Sequence, residues 1–276
     1  MDQRRLGTMS ANSRHDAWNT GESYDRYMGR WSRQLAPRFL EWLGVKAGCD
    51  WLEVGCGTGA LSAEILVRCK PGSQVGVDPS EGFINLAMQK VEGSRVNFRV
   101  GDAQDLPFEH SSYDVVVSAL VLNFIPDRHK AILEMRRVCR PGGTIAFYVW
   151  DYPGGGVEFM RKFWQAAISL DPSAADLAEN KRFPFCTREG LTEMAQNAKL
   201  QSIEVTQIEV DTIFRDFDDF WQPFTLGAGP APGYCSSLDP SSRERLREKL
   251  RHELTGAEDS SITLKARAWA VRSRVD

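Results

Sequence analysis

Residues 51–59, WLEVGCGTG, decide the fold: an apolar strand runs directly into a loop with a glycine at every second position. Glycine allows a tight backbone turn and lets a ligand approach the backbone without a Cβ in the way. Leu61 and Ile65 follow at helical spacing, and the first N–H groups of such a helix have no intrahelical partner. The stretch therefore predicts a strand, a ligand-binding turn and a helix.

The same strand and helix rhythm continues as far as Trp150. Strands are predicted at residues 51–54, 74–78, 96–100, 113–118 and 144–150. This repetition predicts an α/β fold built on an open, mostly parallel sheet with helices on both faces. Beyond Trp150 the pattern becomes mainly helical, and two more strands are predicted at residues 201–214 and 261–273.

Two acidic residues end the strands that follow the glycine loop. Asp78 closes the second strand, at a position that suits a carboxylate accepting both hydroxyls of a ribose. Asp102 and Ala103 close the third strand, where a side chain and a backbone amide could read the edge of an adenine. Because open sheets bind ligands at the carboxyl ends of their strands, these residues predict a nucleoside site.

The glycine loop alone leaves a second interpretation open. Gly55, Gly57 and Ala60 also match the loose dinucleotide pattern of nicotinamide-binding proteins. The additional Gly59 makes a tighter motif, and the sequence contains no Tyr-x-x-x-Lys pair of the kind that many hydride-transferring enzymes use. These points favour the nucleoside interpretation over a nicotinamide oxidoreductase.

Composition limits the classes of partner. The 276-residue chain is 42% hydrophobic and 26% charged, with a net charge of −3, so it has no bulk positive field and nucleic acid is not expected to bind. No apolar run approaches the ~18 residues of a membrane span. The six cysteines form no Cys-x-x-Cys pair and have no histidine at metal-ligand spacing, so we expect reduced thiols, no metal and a cytoplasmic location.

Together these motifs resemble the class I S-adenosylmethionine-dependent methyltransferases, in their small-molecule and quinone branch. The resemblance also rests on residues 105–108, DLPF, on residues 118–122, SALVL, and on residues 140–143, RPGG. It implies a Rossmann-like sheet of seven strands whose last strand is antiparallel. It further implies S-adenosyl-L-methionine as cofactor and a small-molecule methyl acceptor as the partner.

The resemblance divides the chain into parts. A flexible tail at 1–14 would precede a single domain at 15–276. The expected parts of that domain are an N-terminal helical lid at 15–46, a cofactor-binding core at 47–150, substrate-side insertions at 151–200 and 215–256, and C-terminal strands at 201–214 and 261–273. Pro37 lies within the helical pattern of the lid, so we expect a kink or two helices there.

The resemblance also implies site residues. Those expected to bind the cofactor are Tyr27, Arg30, Glu53, Gly55, Cys56, Gly57, Thr58, Gly59, Asp78, Pro79, Ser80, Asp102, Ala103, Ala119 and Leu120. Those expected to bind the substrate are Tyr24, Asn123, Trp150, Phe183 and Trp221. No catalytic base is predicted, since Asn123 stands where many relatives carry histidine, and asparagine cannot act as a base near pH 7.

The expected activity is in-line transfer of a methyl group to a small, apolar or aromatic metabolite in a lid-covered pocket. Many aromatic side chains follow the fifth strand; they suit a flat, apolar acceptor but equally suit a small core of their own. A non-catalytic, regulatory protein that binds the same cofactor is an alternative from a different class. An NAD(P)-dependent oxidoreductase is a further alternative.

Overall fold

The computed structural model describes residues 25–227, 229–255 and 261–276, which form one sheet of seven strands. The strands are β1 (Asp50–Val54), β2 (Ser73–Asp78), β3 (Val96–Val100), β4 (Tyr113–Ala119), β5 (Cys139–Trp150), β6 (Gln201–Phe214) and β7 (Ile262–Arg274). Their order across the sheet is β3-β2-β1-β4-β5-β7-β6. Strands β1 to β5 are parallel, and β7 lies antiparallel between β5 and β6. The predicted seven-stranded sheet with an antiparallel last strand is confirmed.

The buried strands explain the apolar runs of the sequence. Val115, Val116 and Val117 of β4 are all buried, because β4 lies at the centre of the sheet with helices over both faces. Strand β3 at the sheet edge is mostly exposed and contributes Phe98 to the core. The difference in apolar content between β4 and β3 therefore follows from their central and edge positions.

The helices begin with α1 (Arg30–Leu43), which a π-helical turn at Asp25–Gly29 precedes. The others are α2 (Ala60–Glu64, continued by a π-helical turn at Ile65–Cys69), α3 (Glu81–Lys90), α4 (Arg128–Val138), α5 (Glu158–Leu170), α6 (Glu179–Arg182), α7 (Arg188–Asn197), α8 (Phe217–Trp221), α9 (Pro230–Ser237) and α10 (Pro240–Leu254). Short 3₁₀-helices occur at Leu122–Phe124, Pro172–Leu177 and Gln222–Thr225. None of the helices in the described ranges combines the length and apolar character needed to span a bilayer.

The sequence predicted a kink or two helices at Pro37, and of these two the structure excludes a division into two helices. Helix α1 runs through Pro37 without interruption, and the change of helix type lies earlier, at Gly29. Trp31, Leu35 and Phe39 form a buried stripe along this helix. Burial of this stripe supplies the free energy that holds the helix together across the missing hydrogen bond of proline.

The aromatic residues after β5 pack largely on one another. Phe163 and Phe224 stack with ring centroids 4.4 Å apart, and Phe214 and Phe220 meet edge to face at 5.2 Å. The centroid of Tyr27, from the N-terminal turn, lies 5.4 Å from that of Phe224. We call these five residues the aromatic cluster. The sequence left two interpretations of these aromatic residues open: a surface for a flat, apolar acceptor, or a small core of their own. The packing of the aromatic cluster supports the second.

A buried ion pair joins the end of β5 to β7. The Arg267 guanidinium donates to Asp151 Oδ2 from Nε at 2.8 Å and from Nη2 at 2.5 Å, and the Asp151 side chain is almost completely buried. Asp151 Oδ1 also accepts the N–H of Gly154 at 2.9 Å. The pair therefore sets the direction in which the chain leaves the sheet toward α5.

Replacing Arg267 with alanine should lower the free energy of unfolding by about 3 kcal/mol, because it leaves a buried carboxylate without its cation. Lys265→Ala on the same strand is the matched control. Its pair with Glu209 is exposed, so a loss below about 1 kcal/mol is expected. Urea unfolding followed by circular dichroism measures both values, and equal losses would contradict the role given to Asp151.

Candidate active site

The glycine loop between β1 and α2 is shaped by three left-handed residues. Gly55, Gly57 and Gly59 have φ values of +75°, +52° and +85°. A Cβ on Gly55 would lie 2.4 Å from Val121 Cγ1, and one on Gly59 would lie 2.8 Å from Val91 Cγ2, so both glycines allow close packing. A Cβ on Gly57 would meet nothing within 4 Å, which leaves its backbone open to a ligand.

The loop is bound to β2 by backbone hydrogen bonds. The N–H groups of Gly55 and Cys56 both donate to the carbonyl oxygen of Val77, at 2.8 and 2.9 Å. The next residue, Asp78, accepts the Gly57 N–H at Oδ2 (3.0 Å) and the Ser80 N–H at Oδ1 (2.9 Å). The Asp78 carboxylate is thereby held between two loops.

Asp78 is only 5% exposed. Burial raises the pKa of the Asp78 carboxyl, while the N–H donors of Ser80 and Gly57 lower it. Each carboxylate oxygen has a second lone pair that these N–H groups do not use. Asp78 therefore keeps acceptor capacity for a ligand.

Glu53 is a second buried acid, one strand away. It is 1% exposed and accepts a short hydrogen bond from the Ser62 hydroxyl of α2. Burial raises the pKa of Glu53 to about 8; the hydrogen bond from Ser62 lowers it, and the negative charge of Asp78 raises it further. A positively charged ligand nearby would favour the ionised form of Glu53.

A cavity of about 350 Å³ lies above these residues, at the carboxyl ends of β1, β2 and β4. Predicted cofactor-binding residues in its wall are Glu53, Gly55, Cys56, Gly57, Thr58, Asp78, Pro79, Ser80, Ala119 and Leu120. Residues that sequence reasoning missed are Ser32, Ala60, Leu61, Phe83, Val121, Phe124 and Tyr148. We call this space the glycine-loop cavity.

The missed residues come from several elements. Ser32 follows Trp31 on α1, and Tyr148 lies on β5, whose whole second half is buried. The spacing of apolar residues along a helix does not show which buried residues of that helix line a cavity. Phe83 lies near the start of α3, and its N–H donates to the Ser80 hydroxyl at 3.3 Å. The helix-capping Ser80, followed three residues later by the aromatic Phe83, was the one feature of the sequence that could have indicated Phe83 as a cavity residue.

Arg30 does not line the glycine-loop cavity. Its guanidinium donates to both carboxylate oxygens of Asp219, at 3.0 and 3.2 Å, and to the carbonyl oxygen of Ile213. It also lies 4.2 Å from the ring centroid of Trp31. In this structure Arg30 therefore joins α1 to α8, and its role in binding the cofactor stays a prediction.

Tyr27, Asp102 and Ala103 also lie outside the lining of that cavity. Tyr27 is in the aromatic cluster. Asp102 is exposed and accepts the N–H of Gln104 at 2.8 Å, while Ala103 is buried. The preceding Gly101 donates its N–H to the Asp78 carbonyl oxygen at 3.1 Å, so this turn lies beside that of Asp78.

The expected substrate residues are spread over three places. Trp150 lines a small cavity next to the glycine-loop cavity, and Phe183 packs edge to face on Phe124 with a centroid distance of 5.3 Å. Trp221 stacks on Phe217, away from both cavities. Asn123 is buried, and its side chain has no hydrogen-bond partner among the described residues. Tyr24 lies outside the described residues.

The chain matches a family model of a methyltransferase domain over residues 52–147. It is 36% identical over 202 residues to the demethylmenaquinone methyltransferase of Staphylococcus aureus (strain JH9), covering 68% of this chain and 84% of that protein. The demethylmenaquinone methyltransferase of Lactobacillus johnsonii is 29% identical over 145 residues, 51% of this chain and 59% of that protein.

Among solved structures, the fold is similar to that of Haemonchus contortus phosphoethanolamine N-methyltransferase 2 in complex with S-adenosyl-L-methionine. The TM-score is 0.59 at 17% identity, covering 98% of this chain and 60% of the other. At this identity the similarity supports the fold alone.

The raised pKa of Glu53 has a consequence for stability. Between its ordinary pKa of 4.5 and the folded value of about 8, the folded state holds a proton that the unfolded state has released. The free energy of unfolding therefore falls as pH rises through this window, by at most about 5 kcal/mol at about 1.4 kcal/mol per pKa unit. Glutamine cannot titrate, so Glu53→Gln should become increasingly more stable than the natural protein from pH 5 to pH 9.

Urea unfolding of both proteins at pH 5, 7 and 9, without added ligand, measures this difference. Glu64→Gln is the control, because Glu64 is a half-buried acid that is paired with Arg68 on the same helical segment. A difference between Glu53→Gln and the natural protein that does not change with pH would contradict the buried, protonated state of Glu53.

Proposed function

Because the chain belongs to the class I S-adenosylmethionine-dependent methyltransferases, we propose that it transfers a methyl group from S-adenosyl-L-methionine to a small, apolar, quinone-like acceptor. The observation that carries the proposal is the glycine-loop cavity, in which Asp78 and the open backbone of Gly57 face the same space. Demethylmenaquinone methyltransferases among the relatives support the acceptor class.

The residues of the cavity fit the cofactor. The free lone pairs of Asp78 suit the two hydroxyls of its ribose. Glu53 contributes a buried carboxylate to the same cavity. The amino and sulfonium groups of the cofactor carry positive charge, which would stabilise the ionised form of this acid. When bound, the cofactor supplies a sulfonium methyl group that needs no further activation.

The remaining task of the chain is to position the acceptor and exclude water. Leu120, Val121, Phe124 and Tyr148 contribute apolar and aromatic side chains to the wall of the cavity. Leu120 and Phe124 also line the small cavity that contains Trp150, which extends the apolar surface toward α5. This continuity supports an acceptor with a flat, apolar ring.

The cysteines support a reducing, cytoplasmic setting for this activity. All six lie in the described residues, and each is a free thiol. Five of them are buried, and burial raises the pKa of Cys56 well above its ordinary value, so this thiol stays protonated and unreactive beside the cofactor site.

Asp78→Asn should weaken binding of S-adenosylhomocysteine by at least about 100-fold, because it removes charge-assisted hydrogen bonds to the ribose. Isothermal titration of the ligand-stripped protein measures this, with NAD as a second ligand. The exposed Asp105→Asn serves as the matched control and should bind like the natural protein.

The outcomes separate the alternatives. Binding of S-adenosylhomocysteine together with turnover of an acceptor supports the proposal, whereas binding without turnover on any acceptor indicates a regulatory protein. Binding of NAD alone, or unchanged affinity in Asp78→Asn, would overturn the assignment of the cavity.

A further inference from the structure

A further cavity, of about 500 Å³, lies where the N-terminal turn and α1 meet the segment that follows β6. Its wall shares no residue with that of the glycine-loop cavity. Four uncharged residues line it together with four arginines and one acid, and the charged residues are Arg26, Arg30, Arg33, Arg215 and Asp219. We call this space the arginine cavity.

The wall of the arginine cavity is positive in a chain that is negative overall. Four guanidinium groups against one carboxylate give this wall a net charge of +3, whereas the whole chain carries −3. The rest of the chain is therefore acidic, and the fold gathers positive charge at this cavity. Such a local excess attracts anions.

The arginines come from two distant parts of the chain. Arg26, Arg30 and Arg33 follow one another at spacings of four and three along the N-terminal turn and α1. Arg215 comes from the turn between β6 and α8. Because like charges at such helical spacings repel one another, their convergence on one space lowers the stability of the folded protein. A bound anion would offset that repulsion.

Asp219 neutralises only part of this charge. Its carboxylate accepts from the Arg30 guanidinium at 3.0 and 3.2 Å and from the backbone N–H of Arg215 at 3.1 Å. The Arg215 guanidinium lies 3.8 Å from the same carboxylate, so two arginines share one acid. Arg26 forms no ion pair with any residue in the described ranges. The cavity thus keeps positive charge that an anionic ligand can meet.

Arg30 gives the cavity a binding group that is already held in place. Besides its two bonds to Asp219, it donates to the Ile213 carbonyl oxygen at 3.0 Å. Its guanidinium carbon lies 4.2 Å from the ring centroid of Trp31 and 4.8 Å from that of Phe214. These hydrogen bonds use three of the five N–H donors of a guanidinium. A group that is fixed before binding loses little freedom when it binds an anion.

We propose that the arginine cavity binds a phosphate group, carried either by a free phosphate compound or by a lipid headgroup. A planar guanidinium matches two phosphate oxygens at once, and a phosphate offers more acceptor oxygens and more charge than a carboxylate does. Arg30 supplies donors in a fixed position. The remaining positive charge comes from Arg26, Arg33 and Arg215.

A compact phosphate group fits this wall better than a nucleic acid does. A nucleic acid needs positive charge along an extended surface, and the chain outside the cavity carries an excess of acids. The volume of about 500 Å³ is within the range of small-ligand sites. This site goes beyond the proposed function, because its wall is separate from that of the glycine-loop cavity.

Isothermal titration with sodium pyrophosphate at low ionic strength tests the proposal, and citrate serves as a carboxylate anion for comparison. The natural protein should bind pyrophosphate at least about 10-fold more tightly than citrate, because bidentate bonds to phosphate oxygens are at stake. Affinity for pyrophosphate should fall as sodium chloride is added, since salt screens charges that lie near the surface.

Arg215→Gln and Arg26→Gln each remove one positive charge from the wall and should weaken pyrophosphate binding by roughly 5- to 20-fold. Both side chains are exposed, so these variants should keep the Tm of the natural protein without ligand. Arg188→Gln is the matched control, because Arg188 is an exposed arginine on α7 that lines none of the cavities described above. It changes the net charge by the same amount and should bind pyrophosphate like the natural protein.

Vesicles distinguish the two carriers of the phosphate group. Sedimentation is measured with equimolar phosphatidylglycerol and phosphatidylcholine, and with phosphatidylcholine alone. Binding of pyrophosphate without binding to either vesicle assigns the cavity to a free phosphate compound. Binding to vesicles that requires phosphatidylglycerol, and that Arg215→Gln and Arg26→Gln weaken while Arg188→Gln does not, assigns it to a lipid headgroup.

Three results would overturn the proposal. They are binding of neither pyrophosphate nor anionic vesicles, an affinity for citrate equal to that for pyrophosphate, and equal effects of the two cavity variants and of Arg188→Gln. None of these measurements involves S-adenosylhomocysteine or a methyl acceptor. The arginine cavity is therefore tested separately from the proposed function, and either proposal can fail while the other stands.

Discussion

The hydrogen bond from the Gly57 N–H to the Asp78 carboxylate joins the two loops that form the floor of the site. It depends on the positive φ of Gly57 and on the bonds that already tie Gly55 and Cys56 to the Val77 carbonyl. Asp78 in turn accepts the Ser80 N–H, just before α3 begins. One carboxylate thus sets the positions of the loop, of both following helices and of its own remaining acceptor sites.

Three buried acids give the cavities their chemical character. Glu53 and Asp78 lie in the glycine-loop cavity, and Glu179 lies beyond the apolar wall that Leu120 and Phe124 form. Each has donors within the protein, yet burial raises the pKa of Glu53 and of Asp78. Burial of these carboxyl groups lowers the stability of the folded protein. A ligand that brings a positive charge or a hydrogen-bond donor to them would offset that cost.

The part of the chain after β5 is fixed to the sheet at both of its ends. The Asp151–Arg267 pair directs the chain away from the sheet, and the long pairing of β6 with β7 returns it. Between these points the aromatic cluster packs α5 and the segment after α8 around Tyr27. Rigid rings rather than flexible side chains therefore hold Tyr27 in place.

The sequence by itself determined the sheet, the glycine loop and the position of Asp78. These depend on local rules: short apolar runs bounded by turn residues make buried strands, and glycine adopts the left-handed turns of residues 55, 57 and 59 without strain. Only the tertiary structure decided that Arg30 pairs with Asp219, 189 residues away, and that Glu179 is buried beside Trp164. Such contacts depend on how distant segments pack, and a charged residue on a short helix has the same local pattern whether it faces water or a cavity.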